Sequence, residues 1–155
     1  MKIRTKKSER GQSLVELAIS LLVLLYLLSG VVEFGIAFFQ FIQLRDAAQE
    51  GALYGSLHPP TSAAANDPNR LLIIARVRAA SAQPINLADT TKVNVVVTTS
   101  GSACVADGIT VSVSFDHRVF MPFIPRLVGI SSVPPTIPLT GSVTDTILNS
   151  TAPGC

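Results

Sequence analysis

The residues able to do chemistry in this chain are few and widely spaced. There are two histidines, His58 and His117, two cysteines, Cys104 and Cys155, and ten carboxylates among 155 residues. His58 lies beside Pro59-Pro60, in a loop. His117 follows Asp116 at a strand end, where neighbours point to opposite faces, so adjacency alone makes no His–Asp dyad. The serines have no GxSxG setting, and no HExxH, P-loop or GxGxxG occurs. Both histidines therefore read as surface or capping polar groups, and no enzyme is expected. Two cysteines without a CxxC cannot supply a four-ligand zinc site, so neither metal nor cofactor is expected.

Two acids stand out by position. In RGQSLVELAISLLVLLYLLSG, residues 10–30, Glu16 sits at the threshold of a long apolar run, five residues after Gly11. An unpaired carboxylate within a lipid-embedded helix is disfavoured by about 3 kcal/mol, so Glu16 needs a partner or the interface. A helix N-terminus, with free N–H groups and partial positive charge, favours a carboxylate near it. Glu33 is the second such acid, seventeen residues along and about 100° around the helix. It either reaches water at the outer interface or touches a partner subunit.

These acids imply a membrane helix to hold them. Residues 17–32 carry no formal charge, and after Glu33 residues 34–44 are again uncharged. Hydrocarbon of about 30 Å takes about 20 helical residues, which predicts one span over about 14–36. Five Lys/Arg (Lys2, Arg4, Lys6, Lys7, Arg10) precede Gly11 against one acid, Glu9; seven Lys/Arg face nine acids from Gln12 onward. The basic start places the N-terminus in the cytoplasm and everything beyond about residue 45 outside. A cleaved secretory signal fits poorly, because SGVVEFGIAFF continues apolar where an A-x-A-like site would fall. Charged residues are only 14% against a usual 25% or so, and no basic stripe crosses a folded face, which excludes a nucleic-acid binder.

The helix is expected to run past the membrane. Residues 34–55 lack proline, and Phe34, Ala37, Phe38, Phe41, Leu44 and Ala48 follow helical spacing. A rod of about 40 residues, roughly 60 Å long, results. HPPTSAAANDPN (58–69) reads as a loop ending in an Asp67 cap and Pro68 at the first helical position. A second helix over 70–82 buries Ile73, Ile74, Val77 and Ala80 and turns Arg76 and Arg78 away. Three strands follow, over 92–99, 109–116 and 137–147. The second alternates strictly, with Ile109, Val111, Val113 and Phe115 on one face. In the third, Ile137, Leu139, Val143 and Ile147 share a face. The fold class is thus α+β: a long helix, a short one and a small antiparallel sheet with one face covered. The apolar, proline-rich stretch 120–135 is either cover for the sheet or a patch that touches membrane or a partner. Cys104 and Cys155 both lie beyond the span. Outside the cytoplasm they would form a disulfide that pins the tail to the sheet; otherwise they are free thiols.

The run RGQSLVELAI…GVVEFGIAFF…LRDAAQEGALYG resembles the TadE-like minor pseudopilins of the Flp/Tad pilus system, a type IV pilus relative. Gly11, Gln12, Val15, Glu16, Ala18, Glu33, Phe34, Gly35, Ala47, Ala48, Glu50, Gly51 and Ala52 carry the likeness, over roughly residues 10–55. Leu17 departs from the Tyr or Phe common after the glutamate, and Ile36 and Ala37 depart from a basic position. The resemblance implies a pilin-like head and removal of the leader, residues 1–11, by a prepilin peptidase that cuts between Gly11 and Gln12. Gly11 lacks a Cβ, so its backbone can be extended into a protease cleft. The resemblance also implies residues 12–55 as the pilin-like helix and 56–155 as an extracytoplasmic head. Glu16 would meet the new N-terminal amine of a neighbouring subunit. The implied partners are the peptidase, other pseudopilins or pilins through the helix, the Tad inner-membrane platform and the lipid bilayer. The implied location is a bacterial inner membrane, with passage to the cell surface or pilus after assembly.

Overall fold

A helix of 48 residues, α1 (Arg10–Leu57), forms because no proline interrupts it and Leu, Ala and Ile dominate. It ends at His58-Pro59-Pro60, since a proline disfavours helical backbone in the residue before it. At 1.5 Å per residue α1 is about 72 Å long, longer than the rod anticipated. The computed structural model that reveals this describes residues 10–120, 135–150 and 155. The leader's residues 1–9 and nearly all of the apolar stretch 120–135 lie outside the described residues.

A second helix, α2 (Pro68–Ala79), starts where expected and ends three residues early. Asp67 caps it, accepting from the backbone N–H of Arg70 at 3.1 Å. The other carboxylate oxygen gathers Thr61 N, Thr61 Oγ1, Ser62 N and Ser62 Oγ at 2.7–3.2 Å, which folds the preceding loop onto the cap. Burial pushes the Asp67 carboxyl up, but the bonds from Thr61, Arg70 and Ser62 outweigh it and hold it below the ordinary aspartate value.

The strands β1 (Val93–Thr99), β2 (Gly108–Arg118) and β3 (Thr136–Thr146) make one antiparallel sheet in that order. Register carries the two-residue period across it, for Val95 faces Val113 and Val113 faces Gly141. The inner face meets both helices: Val93, Val97, Ile109, Val111 and Val113 pack with Leu44, Ala48, Ala52, Ile73 and Val77 in one buried cluster. The outer face is polar, and its hydroxyls bond to one another, Thr110 to Thr144 at 2.7 Å and Ser112 to Ser142 at 2.9 Å.

Small residues let helix and sheet approach closely. A Cβ at Gly141 would stand 2.5 Å from the backbone nitrogen of Arg45 and 2.6 Å from the carbonyl carbon of Leu44. Backbone cannot swing aside as a side chain can, so β3 lies flat on α1 only because residue 141 is glycine. The head-facing side of α1 differs in part from the expected stripe. Ala37 and Phe41 are half-buried and Leu44 and Ala48 buried, but Phe34 and Phe38 are exposed and stack on each other at 6.1 Å. The physical reason is angular: the head sits on the Glu33–Ala37–Leu44 side, and each next residue lies about 100° away.

Beyond β3, Leu148 N donates to Ser56 O at 2.9 Å, and Cys104 and Cys155 are disulfide-bonded. The chain end is thereby tied both to the upper end of α1 and to the β1–β2 loop.

Two outcomes test this packing on the full chain in detergent. Gly141→Ala destabilises the head by about 1–3 kcal/mol, read as a lower melting temperature. Because the folded Asp67 carboxyl is held low, its contribution is complete above the ordinary aspartate value and disappears as pH falls through the folded one. Melting temperature therefore drops as pH falls below the ordinary aspartate value of 3.8, and Asp67→Asn, which caps without charge, flattens that drop.

Candidate functional site

Below the head, α1 is bare. Every large apolar side chain from Leu14 to Val32 is exposed, Leu17 at 64% among them. The most apolar 18-residue window has a mean hydropathy of 2.4 and none of it is buried. A row of this kind is stable only against lipid or other apolar helices.

The residues singled out from sequence are placed along this rod and are not gathered into one cleft. Gly11 lies near the start of α1, and a Cβ there would meet none of the described residues within 4 Å. Gln12 and Glu16 are exposed. Among the described residues Glu16 has no hydrogen-bond or ion-pair partner. Seventeen residues on, about 26 Å along the axis, Glu33 marks the point where the bare section meets the head. Cys104 and Cys155 are held at the other end of the molecule, near the top of α1.

Within the chain, Glu33 meets partners that its place in the sequence did not suggest. Its Oε1 lies 2.9 Å from His117 Nε2 and also accepts the backbone N–H of Phe120 at 3.1 Å, both in the same chain. His117 Nδ1 lies 2.7 Å from Gln40 Oε1, so the ring is held by two positions, 33 and 40, two turns apart on α1. The side chains are 6% exposed for His117 and 15% for Glu33. Three polar groups are thus sealed at the seam between an apolar rod and an apolar head, where each needs the others.

The surface or capping role read for His117 is corrected by this burial. The signal was present in the strand period: Ile109, Val111, Val113 and Phe115 place residue 117 on the inner, head-facing side. What the period could not give is its partner, 84 residues away. His58 is exposed and stacks on Tyr54 at 4.7 Å. Among the described residues no group of three or more His, Cys, Asp or Glu could hold a metal ion.

Gln43 makes a second clamp higher up. Its amide donates to Ile85 O at 2.7 Å and accepts Ile85 N at 2.9 Å, fastening the segment after α2 to α1.

Replacing His117 by alanine leaves the Glu33 carboxylate half-buried without its ring partner. The expected loss is about 1–3 kcal/mol of head stability, measured as thermal unfolding of the full chain in detergent.

No curated protein and no solved structure matches the chain. Among the described residues one helix, α1, is long and apolar enough to cross a membrane, which fits a membrane-anchored protein. Residues 11–53, which hold Gly11, Glu16, Glu33, Gln40 and the lower head-facing part of α1, match the family model described as TadE-like protein, consistent with a TadE-like protein of a Tad/Flp pilus.

Proposed function

We propose that this chain is a minor pseudopilin of a Tad/Flp pilus or related secretion filament, acting by assembly with no catalysis of its own. The observation that carries the reading is the bare lower half of α1, with Glu16 exposed and unpaired among the described residues. The TadE-like match over the same segment supports it.

In this reading the protein waits in the inner membrane, N-terminus in the cytoplasm and head outside. A prepilin peptidase removes the leader between Gly11 and Gln12. Gly11 suits the cut because none of the described side chains crowds it and because N–H groups at a helix start lack intrahelical partners, so little is lost when the chain opens there. Gln12 then carries a fresh α-amino group, one helical turn below Glu16. The carboxylate, costly in an apolar setting when unpaired, is answered by the amine of a neighbouring subunit. Leu17 and the other exposed side chains of the lower helix pack against neighbouring pilins or lipid. The partners are the peptidase, related pseudopilins and the Tad membrane platform.

Two measurements test this. Protein purified from cells that contain the peptidase gives an N-terminal mass beginning at Gln12; an intact start at Met1 returns the chain to a tethered binding head. Glu16→Ala keeps membrane insertion, because the helix becomes more apolar, and abolishes pilus assembly. Normal assembly by that variant overturns the pairing.

A further inference from the structure

Glu33 is a depth marker. A span over about 14–36 puts Glu33 within one helical turn of its outer end. The backbone N–H of Phe120 donates to Glu33 Oε1 at 3.1 Å, so the chain leaving β2 is fastened at that level. β2 descends towards it: Ile109 packs near Gly55, Val111 near Gly51, and His117 reaches Gln40 and Glu33.

At that level the Phe120 ring turns away from the head. Val119 beside it is 6% exposed, yet Phe120 is 90% exposed. It borders a cleft of about 310 Å³ with Leu25, Leu28, Val32 and Ile36 of α1. Leu28 lies five residues below Glu33, about 7.5 Å deeper along the axis. A ring that shares a cleft with Leu25 and Leu28 stands at acyl-chain depth wherever α1 crosses a bilayer. Arg118, the last residue of β2, is also exposed and precedes Phe120 by two residues on the chain descending towards Glu33. An aromatic at the hydrocarbon boundary with a guanidinium at the headgroup level above it suits a lipid surface.

We propose that Phe120 is a lipid-seated wedge: its ring enters the outer leaflet beside α1, with Arg118 at the phosphates, and holds the head on the bilayer at a second point. The occupant of the cleft is lipid acyl chain. This rests on the reading of α1 as a membrane span.

The test uses the absence of tryptophan from the chain. Phe120→Trp keeps the bond to Glu33, which is made by the backbone. The full-length variant is reconstituted in phosphatidylcholine–phosphatidylglycerol vesicles, with and without lipids brominated at shallow acyl positions. Its emission is expected to be blue-shifted and to lose most of its intensity to the brominated lipid. Tyr26→Trp, in the middle of the span, is the reference and is quenched by deeply brominated lipid. If Tyr26→Trp is quenched and Phe120→Trp emits as in water, the wedge is wrong and the span stands. Blue-shifted emission that brominated lipid leaves untouched means that protein covers the ring, which also overturns the wedge. If neither residue is quenched, the span itself fails, and the wedge with it.

Discussion

One helix has to satisfy two surroundings without a break. Over its first half α1 shows large branched side chains to the outside; over its second half it hides alanine and glycine under a sheet. A helix cannot change its axis between these duties, so the change of partner has to fall at one place on its surface. That place is Glu33. The acid is answered by His117 and by a backbone N–H, and those bonds set the height at which the head meets the rod. Removing one member of such a sealed group costs more than the pair contributes, because the remaining charge or dipole stays buried.

Above that seam the head is built by close approach. Gly141 allows β3 to lie on the backbone of α1, and Gly51 and Gly55 of α1 let Val111 and Ile109 of β2 come close. Gln43 and Ser56 bond other segments back to the helix, and the Cys104–Cys155 bridge ties the end of the chain to the β1–β2 loop. The outer sheet face meets its hydrogen-bonding needs by hydroxyl pairs. None of these devices reaches below Glu33. The lower helix is therefore free of its own head, a requirement for any part of the chain that must pack against lipid or against neighbouring subunits.

The same division bears on how such a head sits at a membrane. A rod that leaves a bilayer at one point permits rotation of whatever it carries. In this chain the descending strand β2 returns to the level of Glu33 on α1, and the exposed Phe120 follows two residues after its end. A polar seam above and an apolar ring below is the order of environments across a lipid boundary.

Much of this was legible in the residues themselves. Periods of two and 3.6 are local, so the three strands, α2 and the continuity of α1 could be read within a few residues at their ends. The bare span could be read because its length and lack of charge answer directly to bilayer thickness. The Gly11–Glu16 spacing was likewise visible, and the family match covers it. Tertiary structure alone decided the partners. His117 lay on the inner face by period, but its meeting with Glu33 depends on where β2 lands against α1, a contact 84 residues apart in sequence. Phe34 and Phe38 looked like part of the head-facing stripe and are not, since a 100° step per residue makes small errors of azimuth decisive. The need for glycine at position 141 was hidden for the same reason. A sequence shows which side chains share a face, whereas only the assembled fold shows what that face is pressed against.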